Sequence, residues 1–328
     1  AGSTYSDLCT PSIEPQREVG VFDRTNPDNK WANYTIIHIL YCSGDVHSGN
    51  VTRPYKDKKG GQVIQRGQAN VVATYDWIKA QQEAGNLAMK FKDFQLMGQS
   101  AGSIGVQVWS GEFLSYFSYE KASVVPDSYI GVFPPNTEGP IIYDFGSCNI
   151  GSVPALHVPP EYTTICNNQN MSLQYITQYW LSQNPNVDFA FLQSKADALQ
   201  IAFYSAIALS TGHDPILTQG EFYKRSNAIM EIYNKYPNFI TYLVDGSQHT
   251  FTPLGAYYTA GPKGPRVGGD DATMHTWVPE NPLDVGTTLD TVCAGKVKDN
   301  VVDSEDVTLG PTYCDGLVYP KTYTQGNY

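Results

Sequence analysis

The sequence predicts an α/β fold with a mainly parallel sheet flanked by helices. Short apolar segments, rich in β-branched residues, alternate along the chain with segments of helical period. Such alternation is typical of βαβ units, whose strands form a parallel sheet. The 328 residues are enough for one large domain. We therefore expect a single domain over residues 1–328.

Five segments are predicted as strands. Segment 33–42 is apolar without a helical period, which predicts a buried strand. The other predicted strands are 94–98, 122–128, 188–194 and 238–249. Helices are predicted over 67–85, 101–114 and 220–236.

Two regions lack this alternation. Residues 134–170 are rich in Pro, Gly and Asn and contain two cysteines, so we expect an irregular insertion or lid. The chain after about residue 260 is rich in Gly, Pro and Asp, and it is only weakly periodic. We expect it to form an extended tail that wraps the core.

The charge excludes some classes of partner. The formal net charge is −11 and the calculated isoelectric point is about 4.9, which argues against nucleic acid and anionic membrane surfaces. No apolar run approaches the ~18 residues of a transmembrane helix. The chain starts at Ala1 without a signal-peptide pattern, so we expect a mature or truncated product.

Cysteines and glycosylation motifs predict a secreted protein, in the extracellular space or cell wall. The six cysteines form no CxxC motif, which argues against a zinc site and favours three disulfides. Pairing sequence neighbours gives Cys148–Cys166 and Cys293–Cys314, which leaves Cys9 and Cys42, although connectivity cannot be derived from spacing. Three glycosylation sequons agree with secretion, and they begin at Asn33, Asn50 and Asn170.

The motif Gly98-Gln99-Ser100-Ala101-Gly102 predicts a nucleophile. The G-x-S-x-G pattern alone is weak, but here it follows a predicted strand and precedes a predicted helix. A nucleophile elbow of the α/β-hydrolase type needs this context. The glycines allow a sharp turn, and the N-terminus of the helix stabilises an oxyanion. The alternative is a glycine-rich turn with an incidental serine.

Ser100 needs a base and an acid, which follow it in the order acid, then histidine, in α/β-hydrolases. His249 ends a predicted strand and is the candidate base, whereas His275 lies in the predicted tail. Asp197 follows strand 188–194 and is the candidate acid, with Asp214 as its competitor.

Five segments, in order, resemble the pectin acetylesterase/Notum family of secreted carboxylesterases. They read YCSGDVHSG, QRGQANVVATYDWI, MGQSAGSIG, VVPDSYIGVF and DGSQHTF, and the likeness covers residues 1 to about 290. The resemblance implies an α/β-hydrolase fold, no cofactor and no metal. It also implies a catalytic triad of Ser100, Asp197 and His249, in which the match at Asp197 is the loosest.

The resemblance also implies an oxyanion hole built from two backbone donors. One donor would be the N–H of Ala101, and Gly2 and Ser3 would be the counterparts of the family's glycine-rich segment. That segment is not intact here, and the strand that normally precedes it is missing, so the chain is expected to begin inside the domain.

The segment YCSGDVHSG is expected to shape the site. Asp45 and His47 precede Ser100, so they do not fit the triad order, and a metal would need more ligands nearby. The resemblance implies a loop beside the nucleophile in which Asp45 and His47 organise the substrate pocket or contact the substrate. Asp127 and Ser128 follow a predicted strand and either face the site or cap a helix.

Taken together, the resemblance implies a carboxylesterase that removes O-acetyl or other acyl groups from glycans such as pectin. Its partner would be an acylated polysaccharide or another acyl ester. The alternative is a non-catalytic secreted structural or adhesive glycoprotein on a hydrolase scaffold, favoured by the broken glycine segment and the many tyrosines.

Overall fold

The centre of the molecule is a four-stranded parallel sheet. The computed structural model describes residues 19–57, 59–152, 158–244, 246–261 and 264–265. The central strands are β3 (Lys90–Gln99), β4 (Ser118–Asp127), β5 (Asp188–Ser194) and β6 (Phe239–Val244), and they lie side by side in chain order. Parallel neighbours require crossover connections, which the helices between the strands provide.

The helices and minor strands have the following bounds. The helices are α1 (Gly67–Glu83), α2 (Ala101–Tyr116), α3 (Glu138–Asp144), α4 (Tyr162–Asn167), α5 (Leu173–Gln183), α6 (Ala198–Thr211), α7 (Gln219–Tyr233) and α8 (Ala256–Thr259). The minor strands form two antiparallel pairs, β1 (Val51–Lys56) with β2 (Gln62–Gln65), and β7 (Ala260–Gly261) with β8 (Gly264–Pro265).

The sheet is buried on both faces. Successive side chains of a strand point to opposite faces. On β5, Phe189 and Phe191 belong to the core under the helices, whereas Ala190 and Leu192 belong to a second core. The second core contains Trp31 and other residues from segments near the two ends of the described chain. An apolar strand without alternation, such as β5, fits this two-sided burial.

The register brings the carboxyl ends of the strands to one edge. Gln99 of β3 lies opposite Asp127 of β4, and Asp127 lies opposite Leu192 of β5. Leu192 in turn lies opposite Tyr242 of β6. The residues that follow these strands therefore meet at the same edge, where open α/β sheets bind their ligands.

Helix α2 packs closely against helix α5 because one helix carries a glycine at the contact. A Cβ atom on Gly111 would lie 2.0 Å from the ring of Trp180. The indole N–H of Trp180 donates to the backbone oxygen of Val108 at 3.0 Å. This contact holds α2 against α5.

The structure confirms the predicted α/β class and four of the predicted strands, but the strand at 33–42 is wrong. Residues 35–42 form no β ladder with other described residues. Ile39 packs against the core, whereas Ile37 is 38% exposed. Apolar, β-branched composition favours a strand only where a neighbouring strand offers free backbone groups, and these residues pack by side chains instead.

The predicted insertion contains short helices. Within 134–170 the chain forms α3, a 3-10 helix over Ser147–Ser152, and α4. The predicted Cys148–Cys166 disulfide is present and joins the 3-10 helix to α4. Cys42 is also disulfide-bonded. The other cysteines, Cys9, Cys293 and Cys314, lie outside the described residues.

The predicted tail lies almost entirely outside the described residues. The single-domain organisation therefore stays a prediction. Among the described residues, no helix has the length and apolar character needed to cross a bilayer.

Candidate active site

Ser100 occupies a strained turn between strand β3 and helix α2. Its φ is 53° and its ψ is −116°, a region of backbone space that residues with a Cβ rarely adopt. The N–H of Ser100 donates to the backbone oxygen of Asp127 at 2.9 Å, which continues the β3–β4 pairing. Ser100 is partly exposed. The turn has the strand, serine and helix order of a nucleophile elbow.

One of the two motif glycines is required by packing. A Cβ atom on Gly98 would lie 2.0 Å from the backbone oxygen of Gly102, so only glycine fits there. A Cβ atom on Gly102 would meet nothing within 4 Å. The close approach of Gly98 to the first turn of α2 makes the elbow tight.

Asp197 and His249 are brought together from distant parts of the chain. Nδ1 of His249 lies 2.8 Å from Oδ2 and 3.0 Å from Oδ1 of Asp197. The Asp197 side chain is fully buried, and the His249 side chain is 15% exposed. This is the contact by which an acid orients a catalytic imidazole.

The same carboxylate also caps helix α6. Oδ1 of Asp197 accepts hydrogen bonds from the backbone N–H groups of Leu199 at 3.0 Å and Gln200 at 2.9 Å. The side-chain amide of Gln200 donates to Oδ2 at 2.8 Å. These donors hold the carboxylate in one orientation and stabilise its negative charge. Gln200 was not predicted as a site residue, although its position three residues after a candidate N-cap was a usable signal.

The second nitrogen of His249 is available as a base. Nε2 is buried and has no hydrogen-bond partner among the described residues, so the hydroxyl of Ser100 does not bond to it in this structure. The backbone N–H of Thr250, the next residue, donates to the hydroxyl of Ser128 at 2.9 Å. Ser128 follows strand β4, and Asp127, the last residue of β4, accepts the N–H of Ser100. The loop that carries His249 therefore lies at the same sheet edge as the turn at Ser100. Catalytic hydrogen bonds are often long in ligand-free structures.

Asp45 is fully buried and organises the loop around it. Its Oδ2 accepts from the N–H of Gly67 at 2.7 Å, and its Oδ1 accepts from the N–H of His47 at 3.2 Å and from the hydroxyl of Ser43. A Cβ atom on Gly49 would lie 2.5 Å from the carboxylate. With its oxygens engaged inside the protein, Asp45 has the contacts of a residue that shapes the loop.

His47 is likewise buried and faces the body of the protein. Its ring lies 4.8 Å from that of Tyr41, and its backbone oxygen accepts from the indole of Trp109 at 2.9 Å. Burial lowers the pKa of His47 to about 4, partly opposed by the charge of Asp45. The ring is therefore neutral at neutral pH.

Of the predicted oxyanion-hole donors, Ala101 lies within the described residues. Ala101 is the first residue of α2, and the leading N–H groups of a helix have no partner within the helix. Gly2 and Ser3, the predicted second donors, lie outside the described residues.

The asparagines of the three sequons, Asn33, Asn50 and Asn170, are all exposed in the structure. Glycosylation of these sites stays a prediction. In the described part of the chain, no group of three or more His, Cys, Asp or Glu side chains is placed to hold a metal ion.

The structure contains a cavity of about 670 Å³ beside helix α7. It is bounded by the segment 131–140, by residues 168–171 and by helix α7. None of Ser100, Asp197 and His249 lines it. The cavity is therefore separate from the candidate catalytic residues and does not mark the position of an acyl group at the elbow.

No family model matches the chain, and no curated protein matches it. Two solved structures of the Wnt deacylase Notum from Drosophila are similar to it, each at 16% sequence identity. The first covers 80% of this chain and 71% of the Notum chain with a TM-score of 0.46. The second covers 79% and 70% with a TM-score of 0.47. At this identity and superposition the likeness carries no conclusion about activity.

Proposed function

We propose that the protein is a secreted carboxylesterase that hydrolyses acyl esters by serine nucleophilic catalysis. The observation that carries the proposal is the Asp197–His249 contact at the sheet edge where Ser100 forms a strained elbow. A buried aspartate on Nδ1 leaves Nε2 as the basic nitrogen, and in the described part of the chain that nitrogen has no hydrogen-bond partner. Ser100, Asp197 and His249 also follow one another in the chain order serine, acid, histidine that this chemistry uses in α/β-hydrolases.

The reaction would proceed in two steps. Oγ of Ser100 attacks the acyl carbonyl carbon while Nε2 of His249 takes its proton, and Asp197 stabilises the imidazolium. The sugar oxygen then leaves with the proton from Nε2, which forms the acyl-enzyme. Water attacks this ester with the same base, and the acid product departs as Ser100 recovers its proton. The N–H of Ala101 and a second donor would stabilise the oxyanion.

The charge of the chain bears on the substrate. A net charge of −11 repels polyanionic pectin at neutral pH unless the cleft is locally basic. We therefore propose O-acetyl groups on neutral or weakly charged glycans as the first substrates to test.

The test is hydrolysis of p-nitrophenyl acetate and of an O-acetylated glycan by the wild type and Ser100→Ala. We expect wild-type turnover, and a fall in kcat of up to about 10⁶-fold in the variant, because no other group supplies the nucleophile. The matched control is Ser115→Ala, at the far end of α2, where the hydroxyl binds the backbone oxygen of Gly111. This variant should keep wild-type kcat.

Labelling supplies a second measurement. A fluorophosphonate should modify Ser100, as located by peptide mass spectrometry, and the label should be absent in Ser100→Ala. A wild type that neither hydrolyses esters nor takes the label would contradict the proposal and favour the non-catalytic glycoprotein.

A further inference from the structure

Asp127 is the last residue of β4 and touches two parts of the candidate site at once. Its backbone oxygen accepts the N–H of Ser100 at 2.9 Å. Its side chain is fully buried and points to the loop that carries His249. Asp127 therefore contacts the elbow through its backbone and the histidine loop through its carboxylate.

The carboxylate of Asp127 and the hydroxyl of Ser128 accept hydrogen bonds from the backbone N–H groups that follow His249. Oδ2 of Asp127 accepts from the N–H of Phe251 at 2.9 Å, from the N–H of Thr252 at 2.7 Å and from the Thr252 hydroxyl at 2.8 Å. Oδ1 accepts from the hydroxyl of Ser128 at 2.8 Å, and that hydroxyl accepts from the N–H of Thr250. Three consecutive backbone N–H groups thus end on the Asp127–Ser128 pair.

The loop needs such support because its conformation is unfavourable. Thr250 has a φ of 63° and Ser128 a φ of 62°, both in the left-handed region that disfavours residues with a Cβ. On the other side, the hydroxyl of Ser194 donates to the backbone oxygen of Gln248 at 2.6 Å. The bonds to Asp127 and Ser128 hold the segment directly after the imidazole.

We propose that Asp127, acting with Ser128, is a positioning residue for the ester hydrolysis, because it fixes the backbone that sets His249 relative to Ser100. This inference rests on the proposed function. Asp127 does not touch the reacting atoms and transfers no proton. Its effect is on geometry, where a displacement of about 1 Å costs about 10²-fold in rate.

The pKa of Asp127 reflects both its burial and its hydrogen bonds. Burial raises the pKa of Asp127, and the hydrogen bonds from Phe251, Thr252 and Ser128 oppose that rise. A buried carboxylate is costly without such partners. The other buried aspartate of the described sheet, Asp188, lies at the amino end of β5, and its Oδ2 has no hydrogen-bond partner among the described residues.

The kinetic test compares Asp127→Asn with the matched control Asp188→Asn. The amide introduced at position 127 has one acceptor instead of two, so either the N–H groups of Phe251 and Thr252 or the hydroxyl of Ser128 would meet a donor. We therefore expect kcat to fall about 10²-fold with KM unchanged. Asp188→Asn removes a buried charge about 13 Å away along the strand direction and should keep kcat within about twofold. Equal kcat values for both variants, per folded molecule, would overturn the proposal.

A finer pair of variants covers the case in which Asp127→Asn does not fold. Thr252→Val removes the hydroxyl bond to Asp127 at nearly constant volume, and Thr252→Ser keeps it. We expect the valine variant to lower kcat and the serine variant to restore it. The same loss in both would indicate a packing effect and would contradict the positioning role.

A spectroscopic measurement separates this inference from the proposed function. The imidazole nitrogens are observed by ¹H–¹⁵N NMR, with His249→Gln to assign the His249 signals among the six histidines. Asp127→Asn should move or broaden the His249 signals, whereas Asp188→Asn should not. If the wild type is inactive but His249 responds, the proposed function has failed and the positioning stands. If the His249 signals do not change, the positioning is wrong.

Discussion

Single residues decide the chemistry of this site, and the choice of acid shows how. Asp197 is fully buried, caps α6 and contacts Nδ1 of His249. Its competitor, Asp214, is exposed, and its carboxylate accepts the N–H of Ile216 at 2.9 Å. The sequence offered both as candidates. The structure brings only the first of the two to His249.

Asp197→Asn should lower kcat for p-nitrophenyl acetate by about 10⁴-fold, with the fold retained. An amide nitrogen or oxygen on Nδ1 would permit the wrong imidazole tautomer and would remove the charge that stabilises the imidazolium. Steady-state kinetics measure the effect. Asp214→Asn, an exposed aspartate in the same part of the chain, should keep wild-type kcat. The reverse pattern would show that the acid is misassigned.

At this scale the sequence predicts the three candidate catalytic residues but not the residues that hold them in place. Ser100 was found because a local motif coincides with a strand–helix junction. Gln200 and the role of Asp127 were not found, because their hydrogen bonds depend on how the chain folds around them. Asp45 was expected beside the pocket, and its contacts explain its effect on the loop through Gly67 and Ser43.

At the scale of elements, the elbow depends on how tightly strand β3 meets helix α2. The turn places Ser100 in a strained conformation, and the surrounding packing must hold it there. Gly98 lets the end of the strand approach the first turn of the helix. Gly98 has no room for a Cβ atom, whereas Gly102 has room for one. Substituting each of these two glycines in turn therefore tests the packing of the elbow.

Gly98→Ala should destabilise the protein by about 1–3 kcal/mol, because its Cβ would lie 2.0 Å from the backbone oxygen of Gly102. Gly102→Ala meets no neighbour within 4 Å and lies inside a helix, where alanine is favoured by up to about 1 kcal/mol. The free energy of unfolding in urea measures both changes. Equal values for the two variants would contradict the tight elbow.

Local pattern and tertiary pairing diverge at this scale. Strand β5 and helix α7 lie close to their predicted bounds, because β5 is a short, mostly apolar segment buried on both faces and α7 has a helical period with one buried face. Segment 33–42 has the composition of a strand, yet residues 35–42 pair with no strand in the part of the chain that the structure describes. Whether a segment pairs as a strand depends on which neighbouring strands have unpaired backbone groups, and the sequence of the segment alone does not show this.

For the whole molecule, burial of the sheet carries an electrostatic cost at Asp188. The residue is 2% exposed, and no described residue donates a hydrogen bond to its Oδ2. Burial raises the pKa of Asp188 from 3.8 to about 7. Its folded pKa thus lies above its unfolded value. The stability that this group contributes is therefore fully present below about pH 4 and is lost as the pH rises through about 7.

Asp188→Asn should make the protein more stable than the wild type at pH 8, because the neutral amide avoids a buried charge. The difference should shrink as the pH falls and become constant below about pH 4, where Asp188 is protonated in both folded and unfolded states. Urea unfolding at several pH values measures it. Glu138, whose pKa burial raises to about 7, titrates in the same range in both proteins and cancels in the comparison. A difference independent of pH would contradict the assignment.

The sequence by itself determined the α/β class and the strand–serine–helix junction at Ser100, and it suggested the Cys148–Cys166 pairing that the structure contains. These features depend on periodicity, on a short motif or on neighbours in the chain. Tertiary structure alone decided that Asp197 meets His249, that Asp127 holds the loop after His249, and that 35–42 is no strand. The physical reason is that hydrogen bonds between distant segments depend on sheet register, which brings the strand ends to one edge.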